Sequence, residues 1–328
     1  MFSIKNAALT ALVLVWGLTL PAGVEERPEG TWVSEFPNTD FSKTNIKFGE
    51  IVTDGPKRDQ IPPIHKPKFI AAAEDKDLGP NEPVLSLSIK GDARAYPLRI
   101  LLWHEIVNDL VGGVPVLVSY CPLCNSDVVF DRRIGGQTLR FGNTGRIRHF
   151  DMVMYDLETE SWWQQFLGSA IISKLTEREM KLVPARLESF ARFKARASKG
   201  RLLIPDDANA RPYGATPYVG MGRSQPAVFR RYPLPSGLGV TDRVVVGDHA
   251  WPLKLLRAKG TLTRGDLTLS WVPGQNSIHD TQRIANGRDV GNVLARRRTD
   301  RGSEEVPYDV TFAFVFSAFR PKGQFHTK

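Results

Sequence analysis

The chain of 328 residues has only two cysteines, Cys121 and Cys124, and they stand two residues apart in the run VPVLVSYCPLCNSDVVFD, Val114 to Asp131. Thiols at this spacing can ligate a soft metal, exchange between dithiol and disulfide, or close a small structural disulfide. Pro122 lets Cys-Pro-Leu-Cys form a β-turn, whose ends fall within about 7 Å, close enough for a disulfide or for one shared metal ion. Energetics narrows the choice. Closing a loop of about four residues removes only about 2 kcal/mol of unfolded-state entropy, against nearly 5 for a loop of about 100 residues. The pair is a poor staple, and reactivity is the better reason for it. The residues after Cys124, Asn125-Ser126-Asp127-Val128-Val129-Phe130, read as a strand, whereas a thioredoxin-type site places its pair at a helix N-terminus. Asn125 stands where covalent c-type haem attachment needs histidine, and no second cysteine pair exists to complete a zinc ribbon.

A metal centre needs a third donor. Two thiolates with an imidazole suit copper(I) or zinc, and His104 upstream and His149 downstream are the nearest histidines. The competing reading of His104 is a partly buried, hydrogen-bonded helix residue. The run Ser161-Trp162-Trp163-Gln164-Gln165 offers Trp162, Trp163 and Gln165 as candidates to line a ligand pocket, with plain core filling as the alternative. Asp151, Asp156, Glu158 and Glu160 supply carboxylates whose spacing fits surface charge as well as acid–base work. No Gly-x-Ser-x-Gly, His-Glu-x-x-His, phosphate loop or dinucleotide fingerprint points to a named enzyme class. The leading expectation is a soft-metal or thiol-redox centre at Cys121 and Cys124. The alternative is a non-catalytic module that binds an envelope small molecule or protein, with the cysteines as a minor disulfide.

The elements that must position these residues are mainly strands. Pro83 to Ile89 alternates, Gly91-Asp92 turns, and Ala93 to Tyr96 returns. Pro97 then opens a predicted helix through PLRILLWHEIVNDLVGG, stopped by Gly112, which sets His104 and Asn108 on one face. Further strands are expected at Val114 to Tyr120, Asp127 to Asp131, Thr138 to Phe141, Arg148 to Tyr155, Lys181 to Pro184, Leu267 to Val272 and Val310 to Phe316, with an amphipathic helix at Arg186 to Ser198. The stretch Gly247-Asp248-His249-Ala250-Trp251-Pro252-Leu253 echoes Gly91-Asp92-Ala93-Arg94-Ala95-Tyr96-Pro97-Leu98 with one residue fewer, which suggests a duplicated strand-turn-strand-helix unit. The expected class is α+β: a β-rich mixed sheet or barrel-like core with two related halves, residues 67–204 and 236–328, in one domain. A Pro/Gly-rich excursion, 205–235, joins them, and an irregular arm, 24–66, precedes them.

Residues 1–23 read as a signal peptide, with Lys5, a 14-residue apolar run from Ala7 to Leu20, and small residues at Ala22 and Gly23. That run is short of the roughly 20 residues a spanning helix needs, and no later segment approaches that length. A periplasmic or secreted protein is expected, with no transmembrane segment after signal removal. The formal charge of +9 is scattered, with clusters only near Arg192 to Arg201 and Arg296 to Arg298, so nucleic acid is a disfavoured partner.

The blocks GDARAYPLRILLWHEIVND, CPLCNSDVVFD and MYDLETESWWQQ, with the later GDHAWPL and FAFVFSAFRP, resemble the bacterial family known as domain of unknown function 3179 from about Lys68 onward. The resemblance implies no established reaction or cofactor. It does imply Ala-Phe-His-Pro near the C-terminus, where this chain has Arg320, so a metal site that used that histidine in relatives would be in doubt here.

Overall fold

The computed structural model describes residues 28–223 and 227–328; the signal-peptide reading of residues 1–23 lies outside them. Strands dominate and the helices are short, which makes the fold α+β and mostly β, as expected. No helix among the described residues is long and apolar enough to cross a membrane.

The sheet that carries the cysteines runs in the order Lys181–Leu182, Ser126–Asp131, Val114–Cys121, Ile106–Val111. Its Val114–Cys121 strand is buried along almost its whole length, as its unbroken apolar run predicts. Beside it lies a second sheet, ordered Ile51–Val52, Phe141–Arg148, Asp151–Asp156, Trp162–Gln164, Ser169–Ile172. Cys121, Cys124, Met152, Met154 and Trp163 from these two sheets share one apolar cluster with Phe312, Phe314 and Phe316 near the C-terminus.

The predicted long helix after Pro97 is corrected by the structure. Helix Leu98–His104 stops at Glu105, and Ile106–Val111 is a strand paired with Val114–Cys121. Gly112 and Gly113 have φ of 54° and 81°, the pair of left-handed residues that a tight hairpin turn demands, and this turn overrides the helical spacing of the apolar residues. His104 and Asn108 therefore share no helix face. Arg186 to Ser198 splits likewise into strand Arg186–Ser189 and helix Phe190–Arg196. The Val310 to Phe316 strand ends at Phe312, where helix Ala313–Phe319 begins. In the second, an apolar run buried on all sides carries no period that separates helix from strand; in the first, pairing of Arg186–Ser189 with Pro83–Ile89 takes the leading residues out of the helix.

The two stretches that resemble each other in sequence have matching local structure. Strands Pro83–Ile89 and Asp92–Pro97 form an antiparallel hairpin leading into helix Leu98–His104; strands Arg243–Val246 and Ala250–Pro252 do the same before helix Leu253–Lys259. Pro97 and Pro252 precede their helices with nearly identical dihedrals, −60°/131° and −58°/131°. A third strand completes each group. Arg186–Ser189 pairs with Pro83–Ile89, Asp309–Phe312 pairs with Arg243–Val246, and each runs directly into a seven-residue helix. The third strands are exchanged in their packing: Asp309–Phe312 lies against Ser126–Asp131, and Arg186–Ser189 against Asn292–Thr299. Where the first group has Ser119-Tyr120-Cys121-Pro122-Leu123-Cys124-Asn125-Ser126, the second has Ser270-Trp271-Val272-Pro273-Gly274-Gln275-Asn276-Ser277. Serine, proline and asparagine recur in register, and the cysteines do not.

The segment before Phe69 contributes a buried cluster of its own. Trp32 and Phe36 pack on Trp162 with ring centroids 5.2 and 5.0 Å apart, and Phe48 joins them. In the 205–235 excursion, Phe229 and Tyr232 are buried against Phe314.

Candidate functional site

The Val114–Cys121 strand delivers Cys121 at its end, and Pro122 turns the chain so that Cys124 comes back beside it before the Ser126–Asp131 strand departs. The turn closes through Asn125, a non-glycine residue at φ 53°, a region asparagine tolerates better than most residues. Its side chain is fixed from both ends, donating to the Val310 carbonyl and accepting from the Tyr120 hydroxyl at 3.3 Å. The far strand grips the turn as well. The Cys124 carbonyl accepts from Phe312 N at 3.0 Å and Thr311 Oγ1 at 2.7 Å. Pro122 O accepts from His279 Nε2 at 2.8 Å, so Nδ1 of that ring is left to accept from Arg243 Nη2 at 3.2 Å. Burial and the adjacent guanidinium hold His279 down to about 3, neutral at any physiological pH, which fits this pairing. A loop tethered at this many points holds both thiols in fixed positions.

The third member comes from the neighbouring sheet. His149 and Phe150, at φ 52° and 66°, make a left-handed turn that brings Asp151 to the head of its strand and into the interior, fully buried. Asp151 Oδ2 accepts from Gln164 Nε2 at 2.5 Å and Phe166 N at 2.9 Å, while Oδ1 faces Cys124 Sγ at 3.1 Å. Among the described residues, one ligand atom from each of Cys121, Cys124 and Asp151 lies within 4.8 Å of the others. Both cysteines are free thiols, 2% and 0% exposed.

Burial governs the electrostatics. It pushes the Asp151 carboxyl up to about 7 despite its donors, and it raises both thiols, Cys124 further than Cys121. Glu105 faces the same interior, its carboxylate held by Asn143 Nδ2, and burial together with Asp151 pushes it up to about 8. Its backbone sits at φ 56°, and its carbonyl accepts from Tyr120 N at 2.9 Å. Below the turn, Asp309 Oδ1 accepts from Asp127 N at 2.9 Å and Oδ2 from Ser126 Oγ at 2.7 Å. Burial raises both carboxyls: Asp127 goes well above the carboxylate range, with the neighbouring Asp309 charge adding to the shift, and Asp309 goes to about 6 despite its donors from Ser126 and Asp127. The apolar environment disfavours charge throughout, and a cation among these groups would offset it.

The candidate residues expected from sequence divide into those the structure gathers and those it sets elsewhere. Cys121 and Cys124 come together. His104 has both ring nitrogens occupied, Nδ1 by Pro62 O and Nε2 by Tyr213 Oη, each at 2.8 Å. His149 Nδ1 bonds Tyr232 Oη at 3.1 Å, and Nε2 lies 3.5 Å from Glu50. Neither histidine belongs to the converging set. Trp162, Trp163 and Gln165 are all fully buried. Trp163 Nε1 donates to Asp156 at 2.9 Å, and Gln165 Nε2 donates to Ser119 Oγ at 3.1 Å, tying the two sheets together under the turn. Asp151 is visible in sequence only as one carboxylate among four, beside an apolar run, Met152 to Met154, that marks a buried strand without showing that its first residue is buried too.

A family model described as a protein of unknown function (DUF3179) matches residues 58–323. The chain belongs to that family. The match takes in the cysteine turn, Asp151, Glu105 and both hairpin–helix groups, and so covers every residue of the site. No curated protein and no solved structure is matched by the chain.

Proposed function

We propose that Cys121, Cys124 and Asp151 form a soft-metal centre in an exported member of this family. The observation that carries it is the convergence of two thiols and a buried carboxyl within 4.8 Å, on a turn tied down from three sides. Such groups resist ionisation alone, and a bound cation deprotonates them together. Zinc and copper(I) both accept thiolates. The oxygen of Asp151 favours zinc, whereas copper(I) would be held by the two sulfurs with the carboxylate aside. Glu105, close by and raised to about 8, is available to balance charge or take up a proton as the metal binds.

The experiment is metal loading of reduced full-length protein, with cobalt(II) as the spectroscopic substitute. One ion per chain with thiolate-to-cobalt absorption, lost in Cys121→Ser and Cys124→Ser, supports the centre. Binding unaffected by both substitutions would sink it.

A second reading, a dithiol–disulfide couple, is favoured by the two adjacent thiols themselves. Exchange with a partner disulfide would form the Cys121–Cys124 bond and leave two thiols on the partner. Burial counts against this reading, since it raises both thiols and shields them from a partner.

A further inference from the structure

Val128, Phe166 and Asp309, which also border the cysteine site, line one side of a cleft of about 600 Å³. Its floor is apolar, from Val245, Leu269 and Ala295, and Trp251 walls it at 3% exposure. Trp251 stacks on His326, ring centroids 5.2 Å apart at 21°, and His249 lies within 6.0 Å of both rings. The half-buried rings of His249 and His326 continue the Trp251 stack to the cleft, where a planar ring can extend it. The indole Nε1 of Trp251 and Nδ1 of His249 are buried with no hydrogen-bond partner, so two polar groups bordering this cleft are left unsatisfied.

The rim is charged. Arg297 is spoken for by Asp266 at 3.1 Å. Arg264 and Arg320, also lining the cleft, are exposed and make no ion pair or side-chain hydrogen bond among the described residues. The remaining acids are Asp248, exposed at the rim, and Asp309, whose carboxylate oxygens are occupied by Ser126 and the Asp127 amide. Two unpaired guanidiniums above an aromatic wall form an arrangement that recognises an anion attached to flat apolar rings. We propose that this cleft binds a small aromatic anion, with its rings against Trp251 and His326 and its carboxylate or sulfonate between Arg264 and Arg320. The cleft adjoins the cysteine centre through Phe166 and Val128, but none of Cys121, Cys124 and Asp151 lines it, and the proposed binding uses no metal.

The test uses 8-anilinonaphthalene-1-sulfonate and full-length protein, followed by dye fluorescence. One saturable site is expected, and N-phenyl-1-naphthylamine, which has the same rings without the sulfonate, should bind at least about tenfold more weakly. The double variant R264A/R320A, confirmed as folded by circular dichroism, should weaken the sulfonate dye by about tenfold, and R192A, on another face, should leave it unchanged. Equal binding of the neutral dye, unchanged binding by R264A/R320A, or uptake that never saturates would overturn the proposal.

Discussion

Replacing Asp151 by asparagine separates the site's electrostatics from its packing. Asp151 is fully buried, and its carboxyl rises from 3.8 to about 7 on folding. A carboxyl raised in the folded state contributes stability that is complete below its unfolded value near 3.8 and is lost as pH climbs through about 7. That span corresponds to about 4 kcal/mol between pH 4 and pH 8 in metal-free protein. Asparagine keeps the shape. Its oxygen can accept from Gln164 Nε2 and Phe166 N as Oδ2 does, at a cost of about 1 kcal/mol for the altered contact with Cys124. In urea unfolding with chelator and reductant present, Asp151→Asn should therefore be about 1 kcal/mol less stable than wild type at pH 4 and about 3 kcal/mol more stable at pH 8. The difference between the two proteins cancels titrating groups that do not feel Asp151; Glu105, raised to about 8 partly by Asp151, changes with it and adds a smaller difference of its own near pH 8. Zinc should stabilise wild type at pH 8 and do much less for the variant. Parallel pH profiles for wild type and variant would refute the assignment of a strained, proton-retaining carboxyl to this position.

His104→Ala should cost about 1–2 kcal/mol through lost bonds to Pro62 and Tyr213 while leaving metal stoichiometry unchanged, as measured by denaturation and elemental analysis. Asn125→Ala should be about 1 kcal/mol less stable than Asn125→Gly, because only glycine occupies φ 53° freely once the side-chain bonds are gone; equal urea midpoints would remove the backbone explanation. Trp162→Ala should cost about 3–5 kcal/mol and loosen the segment that carries Trp32 and Phe36, read as faster proteolysis before residue 58.

Much of the strand content is legible in the sequence, because alternation and β-branching at Pro83 to Ile89 and Val114 to Tyr120 leave little choice of conformation. The turn at Gly112-Gly113 is legible as a stop, but the sequence alone makes it the stop of a helix. Leu98, Leu101, Leu102 and Ile106 follow a helical period by coincidence across the Glu105 break, and only pairing with Val114–Cys121 decides the matter. At the site, the cysteines declare themselves by type and spacing. Asp151 and Glu105 do not, because what distinguishes a buried acid from a surface one is how two sheets meet, and no spacing within one strand records that. His104 resembles a ligand because it is the nearest histidine upstream of the cysteines and sits at the end of an apolar run. The same burial is satisfied by a carbonyl and a tyrosine drawn from residues 42 and 109 positions away.

X-ray absorption at the metal edge of the zinc-loaded protein tests the proposed centre most directly. Two sulfur scatterers at about 2.3 Å and an oxygen near 2.0 Å are expected, with both sulfurs gone when Cys121 and Cys124 are serine. A shell of nitrogen and oxygen alone in the wild-type protein would contradict a thiolate centre at this turn.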